Sequence, residues 1–437
     1  MTRAMTTVQW SENGTERRAG WRPENGARPP RDIVVVDDDV AADSALRMAR
    51  GGTAILWRGD FQNARQLVQA LDRRLEKAAS RKAASRKAAK VAKAARADHA
   101  TGVARATRDA DLGDLFHANR LARSQRAAIL GKILVELEAD YSISLRRAPD
   151  VRDACEHAYG KSAGVDAAGC EAVGAGTGAG SGSGEDDEGS TLVSLPELLG
   201  VISAYEWHRK GIEVAALGDR IHPAYGVFAP TRDEYIDLVA DAAWPKGVDD
   251  PVVFDIGTGT GVLAAILARR GARHVVATDI NPRAVRCAKD NVDRLGVADR
   301  VRVEQADLWS AGDDERADVV VCNPPWIPGR PTSALEQGIY DPKSDVLHRY
   351  LTGLARRLNA GGEGWLILSD LAELLGLRSR DELQQRIADA GLVVVDRIDT
   401  AARHSRAADD TDPLHAARSR ERTSLWRLRV PDRTVEK

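Results

Sequence analysis

The feature that most restricts the fold of this chain is a short apolar run that breaks into glycines. Residues 252–256 (Val-Val-Phe-Asp-Ile) read as a buried strand. The run passes straight into Gly257-Thr258-Gly259-Thr260-Gly261, and a helical stretch starts at Val262. Glycines at a strand-to-helix turn let the backbone approach a ligand closely and aim helix amides at it. A turn of this kind belongs to a mostly parallel sheet covered by helices on both faces, with its ligand at the carboxyl ends of the strands. The dinucleotide fingerprint requires glycine at the first, third and sixth positions. Counted from Gly257, the sixth position is Val262, so a dehydrogenase is disfavoured.

Alternating strands and helices continue to the end of the chain. The second strand, 274–278, ends in Asp279, where a carboxylate can accept hydrogen bonds from two ribose hydroxyls. Ile280, Asn281 and Pro282 then open a helix, and a third strand near 301–304 leads to Asp307 and Leu308, with Asp307 placed to meet an adenine amino group. A fourth strand, 318–322, ends in Asn323-Pro324-Pro325-Trp326. Two prolines fix backbone angles and remove amide hydrogens, giving a rigid corner lined by carbonyls. The Asn323 side-chain oxygen and the Pro324 carbonyl can both accept from one NH2 group, and Trp326 offers a flat wall. An amide or exocyclic amine is a poor nucleophile because its lone pair is delocalised. Two acceptors that orient the nitrogen and draw off its developing positive charge answer that difficulty.

The run from Asp255 to Trp326 resembles the class I methyltransferases, and within them those carrying an Asn-Pro-Pro-aromatic tetrad. It is most similar to the release-factor glutamine methyltransferases, through the stretch VVVCNPPWIP that ends in Ile327-Pro328. The segment 226–234 also resembles that family's segment closing over the cofactor, with Pro230, Arg232 and Glu234 matching. The resemblance covers roughly residue 211 to the end. It implies S-adenosyl-L-methionine as cofactor and an α/β, Rossmann-like sheet of seven strands, mostly parallel with the last antiparallel. It further implies that Arg232, Asp255, Gly257, Thr258, Gly259, Gly261, Asp279, Ile280, Asp307 and Leu308 hold the cofactor, that Asn323 faces it, and that Asn323, Pro324, Pro325 and Trp326 form the catalytic tetrad. The family usually has Tyr at the tetrad's last position. Trp326 lacks the hydroxyl and has a larger ring.

The amino-terminal half states no chemistry by itself. Residues 1–31 read as a disordered tail and 32–157 as a mostly helical domain, including a long amphipathic helix over 112–141. Residues 73–96 are a basic low-complexity insertion of Ala, Lys, Arg and Ser. Residues 158–190 read as a flexible Gly/Ser/acidic linker. A helix capped by Ser194 and a β-hairpin split at Gly218-Asp219 fill a connector, 191–230, ahead of the methyltransferase domain, 231–437.

The 437 residues carry a formal net charge of only −2, and no apolar run is long enough for a membrane helix. With no signal-peptide core either, a cytoplasmic address is expected. Cys155, Cys170, Cys287 and Cys322 have neither zinc nor disulfide spacing, so four reduced thiols and no metal are expected. Two substrates stay open for an enzyme of this class. One is a protein glutamine side chain, with a translation factor as the protein. The other is an exocyclic amine of an RNA or DNA nucleobase, which would give the basic segment a phosphate partner.

Overall fold

The computed structural model describes residues 6–97, 106–162, 189–310, 312, 315–333 and 335–431. They form two compact units, one of residues 1–102 and 120–205, the other of 103–119 and 206–437.

The first unit is built on a six-stranded sheet. Its strands are β1 (Thr6–Glu12), β2 (Thr15–Trp21), β3 (Ile33–Val36), β4 (Ala54–Trp57), β5 (Ile133–Leu137) and β6 (Thr191–Ser194), in the order β1-β2-β6-β5-β4-β3. Helices α1 (Ala42–Gly51), α2 (Phe61–Ala97), α3 (Ala106–Leu130), α4 (Arg152–Tyr159) and α5 (Leu195–Lys210) follow in chain order. Helices are abundant, as expected, but the sheet beneath them is not apparent from helical periodicity. Two expectations are corrected here. Residues 6–21, read as part of a tail, are an antiparallel hairpin that buries Val8, Trp10, Ala19 and Trp21. The helix expected over 112–141 stops at Leu130, and all five residues of β5 are buried in the sheet interior. A short apolar run of that kind cannot be assigned to helix or strand by periodicity alone.

The basic segment 73–96 is not an insertion between elements. It continues α2, whose first turns bury Phe61, Ala64, Leu67, Val68, Leu71 and Leu75 at helical spacing. Most of the expected linker, residues 163–188, lies outside the described residues, as does Cys170. The other three cysteines are free and buried, and burial pushes the Cys155 and Cys287 thiols up to about 12, away from the thiolate form.

The second unit opens with a short hairpin, β7 (Ile212–Val214) and β8 (Asp219–Ile221). It is briefer than the sequence suggests, because residues 215–217 turn as a 3-10 helix and the chain beyond Ile221 leaves the ladder. The main sheet follows, from β9 (Val252–Ile256), β10 (His274–Asp279), β11 (Val301–Gln305) and β12 (Ala317–Cys322). The short pair β13 (Ile327–Pro328) and β14 (Tyr340–Asp341) stands apart from it, and β15 (Leu358–Ser369), β16 (Val393–Ala401) and β17 (Arg422–Arg429) complete it. The order is β11-β10-β9-β12-β15-β17-β16, with β17 antiparallel to both neighbours. This is the seven-stranded sheet with a reversed last strand that the resemblance implies.

Helices α6 (Glu234–Asp241), α7 (Val262–Arg269) and α8 (Pro282–Arg294) come before the fourth strand, and α9 (Asp345–Arg357), α10 (Leu371–Leu374), α11 (Arg380–Asp389), α12 (Ser405–Ala408) and α13 (His415–Arg418) after it. Alternate residues of β9 supply two cores. Val253 packs with α6 and α7, whereas Phe254 and Ile256 pack with α9 and α11. Residues 106–119, assigned from sequence to the amino-terminal domain, belong to the second unit. Phe116 is buried among Ile327, Leu371, Leu375 and Leu414.

Candidate active site

The glycine turn sits at the carboxyl end of β9, as the sequence places it. Gly257, Gly259 and Gly261 all have φ between +57° and +80°, a region costly for other residues. A Cβ at Gly257 or Gly259 would meet nothing within 4 Å, whereas one at Gly261 would lie 3.2 Å from Ala288. The first two glycines thus border open space suited to a ligand, and the third serves packing.

Asp255 braces this turn from inside. Its Oδ2 accepts from Thr258 Oγ1 at 2.6 Å and from the Ala264 amide at 3.1 Å. Burial pushes its carboxyl up to about 6, against the pull of those two hydrogen bonds. A shift of that size from the ordinary 3.8 costs the folded state about 3 kcal/mol once the group is ionised. Because the folded value is raised, the stability is complete below about pH 4 and lost as pH rises through about 6. Asp255→Asn should therefore gain in relative stability by up to about 3 kcal/mol between about pH 4 and about pH 7. Denaturant titrations of both proteins across that range check this, and a pH-independent difference would mean an ordinary carboxyl.

Asp279 ties the turn to the second strand. Its Oδ2 accepts from the Gly259 amide at 3.0 Å and its Oδ1 from the Asn281 amide at 2.8 Å. Desolvation pushes its carboxyl above the usual range despite these bonds. Next to it Ile280 is 59% exposed, an apolar side chain left uncovered at the mouth of the site. Asp307 is half-exposed and pairs with Arg349 at 2.8 Å. Leu308 adopts φ of +67°, and its carbonyl accepts from Thr278 Oγ1 at 2.6 Å. An L-residue held there stores strain, of the kind seen at ligand clamps.

At the end of β12, Trp326 Nε1 donates to Asn323 Oδ1 at 2.8 Å. An indole nitrogen can only donate, so the amide orientation of Asn323 is fixed with its oxygen toward Trp326. That oxygen keeps a second lone pair for a substrate N–H. Pro324 is buried, and the exit of the tetrad is held by the β13–β14 pairing of Ile327 with Tyr340. Trp326 packs against both sheet cores and against the cluster containing Leu371 and Leu414.

Arg232, expected from the resemblance to hold the cofactor, directs its donors at protein groups. It bonds Glu234 Oε1 through Nε at 2.7 Å, Glu421 Oε1 through Nη1 at 3.0 Å and Thr423 Oγ1 through Nη2 at 3.2 Å. Its guanidinium carbon lies 4.5 Å from the centroid of Trp326. Glu421 also accepts from Ser369 Oγ at 2.6 Å and lies 3.1 Å from His404 Nε2. Burial pushes the Glu421 carboxyl up, but His404, Arg232 and Ser369 outweigh it and hold the group at about 2. Glu421 and His404 were not legible as site residues. They lie in the polar stretch 403–422, which has no periodicity, and only the matched Arg232 hinted at a partner.

The order of this sheet, with Asp279 ending its second strand and Asn323-Pro324 following its fourth, is the α/β arrangement that the class I methyltransferase resemblance implies. Residues 225–373 match the family model of the methyltransferase small domain. Among curated relatives, the release factor glutamine methyltransferase of Cereibacter sphaeroides is 44% identical over 84 residues, covering 19% of this chain and 30% of that one. The ribosomal protein L11 methyltransferase of Pelotomaculum thermopropionicum is 52% identical over 71 residues, covering 16% and 23%. The release factor glutamine methyltransferase of Chlorobaculum tepidum is 38% identical over 103 residues, covering 22% and 35%. The chain thus spans about a third or less of the length of these three relatives. Among the described residues no helix is long and apolar enough to cross a membrane.

Proposed function

We propose that this protein transfers a methyl group from S-adenosyl-L-methionine to a planar amide nitrogen, that of a glutamine side chain in a protein, with a translation factor as the substrate class. The cofactor supplies an electrophilic methyl on a sulfonium. The residues at hand fit it: open space beside Gly257 and Gly259, a carboxylate at Asp279 for ribose hydroxyls, exposed Ile280, and Asp307 with Leu308 for the adenine edge.

The observation that carries the reading is the Trp326–Asn323 hydrogen bond. It points an amide oxygen in one direction before substrate arrives, so no reorganisation is needed during reaction. Asn323 Oδ1 and the Pro324 carbonyl would take the two hydrogens of a target NH2, turn its lone pair toward the methyl and stabilise the positive charge that grows on nitrogen. The proton leaves after the charge has formed, so a strong base is not required at this corner. Trp326 would confine the amide plane. Relatives named for methylation of release factor and of ribosomal protein L11 support a polypeptide over a nucleic acid.

The reading is tested by methyl transfer from labelled S-adenosylmethionine into a cell extract, followed by separate protease and nuclease digestion. Label lost to protease alone, and recovered as N-methylglutamine, is the expected result. Label lost to nuclease would instead indicate a nucleobase amine. The helical basic end of α2 would then be the first segment to delete.

A further inference from the structure

We infer that Arg232 is a positioning residue for the tetrad rather than a cofactor ligand, and that the stretch between the last two sheet strands exists at this site to clamp it through Glu421 and His404. The inference rests on the methyltransferase reading of the Asn323 corner and adds to it.

Trp326 holds the orientation of this corner through its hydrogen bond to Asn323. If its indole N–H is to hold Asn323, the ring plane has to be fixed to within a fraction of an ångström, because a hydrogen bond weakens steeply with angle. Packing alone restrains a ring weakly in its own plane. Arg232 adds a guanidinium over one face, its carbon 4.5 Å from the ring centroid, a cation–π attraction that restrains the ring from that side. Arg232 in turn is not free to move. Glu234 and Glu421 both have fully buried carboxylates, and they grip different nitrogens of the guanidinium. A bidentate or two-sided grip of this sort sets orientation as well as charge.

Glu421 is held by three further constraints. Ser369, the last residue of β15, donates to the same oxygen as Arg232. His404 meets the other oxygen. The backbone of Glu421 is paired as well, its carbonyl accepting from the Ala402 amide at 3.1 Å. On the outer side Arg403 pairs with Asp233 and Asp237 at the start of α6, which fastens the stretch to the same helix that Glu234 begins. The charged groups facing Arg232 thus come from two places, Glu234 at the start of α6 and Glu421 in the 403–422 stretch, and the Thr423 hydroxyl of β17 takes a third donor. An arginine placed to bind the cofactor's carboxylate would keep its fork open. Here the fork is closed by protein acceptors.

The test uses the full chain labelled with 5-fluorotryptophan, whose nine tryptophans give nine fluorine resonances. Trp326 is assigned as the signal missing from Trp326→Tyr. Arg232→Lys keeps charge but loses the planar guanidinium and its several donors. Glu421→Gln keeps shape, and so remains informative if Arg232→Lys is too unstable to study. In both, the Trp326 resonance should shift and broaden, and kcat on a glutamine-containing peptide should fall about tenfold to thirtyfold. The S-adenosylmethionine dissociation constant, measured by calorimetry, should stay within about threefold. An unmoved Trp326 resonance would overturn the inference. So would a dissociation constant rising in step with the loss of rate, which would return Arg232 to the cofactor. Should the wild-type protein methylate no glutamine peptide, the substrate reading fails, while the resonance and the dissociation constant still decide the role of Arg232.

Discussion

Asn323→Ala should lower methyl transfer by about a hundredfold to a thousandfold, the range seen when one preorganised polar group facing a developing charge is removed. Binding of S-adenosylmethionine should change by less than about threefold. The two effects separate because the cofactor's other expected contacts lie at the ends of β9, β10 and β11, whereas Asn323, which follows β12, is one contact among many for the cofactor but the acceptor for the target nitrogen. The substitution removes the acceptor that Trp326 Nε1 now uses, leaving a partly buried donor without a partner. That loss should cost about 1–3 kcal/mol of stability, so activity is to be compared below the midpoint of the variant's melt. Asn323→Asp is the sharper companion. It keeps an acceptor for the indole but adds charge and removes the amide's NH2, and it should recover stability without recovering rate. Turnover that survived Asn323→Ala at near wild-type rate would remove the basis for placing chemistry at this corner.

Much of this corner is legible in the sequence because its residues are local in the chain. The strand 252–256, the glycine turn, Asp279 after the second strand and the tetrad after the fourth are each set by a few neighbouring residues, and strand ends in an open parallel sheet fall at the ligand site. The Ser194 cap was local too: Glu197 N donates to its hydroxyl at 3.3 Å. What escaped reading depends on partners far along the chain. Glu421 meets Arg232 across 189 residues, and no periodicity in 403–422 announces it. Strand β5 was read as helix because its five residues are buried on both faces, so neither a two-residue nor a four-residue period shows. One miss was avoidable. Asn13-Gly14 is a strong hairpin signal; both residues have positive φ, 52° and 79°, and Glu12 pairs with Thr15 across them. The surrounding Arg, Glu and Gly made the stretch look like a tail, although Val8 and Trp10 alternate with polar residues as a half-buried strand requires.

The second large effect should fall on the cofactor. Asp279→Ala should weaken S-adenosylmethionine binding by about a hundredfold, with kcat at saturating cofactor changed only a few-fold. Hydrogen bonds to a charged acceptor contribute about 1.5–3 kcal/mol each, and about 2.7 kcal/mol corresponds to a hundredfold in affinity. Asp279 acts twice over. In the proposed reading its remaining acceptor capacity takes the ribose hydroxyls, while its Oδ2 draws the Gly259 amide toward the second strand and shapes the glycine turn. Asp279→Asn separates the two contributions. An amide has one oxygen, so it can accept from Gly259 or from Asn281 but must turn its NH2 toward the other amide. It should therefore bind cofactor more weakly than wild type and loosen the turn at the same time. Adenosine, which keeps the ribose but lacks the sulfonium, should lose affinity in the same proportion if the ribose is what Asp279 holds. If Asp279→Ala left the S-adenosylmethionine dissociation constant unchanged, the carboxylate would be only a brace for the glycine turn. Ribose recognition would then have to come from backbone groups.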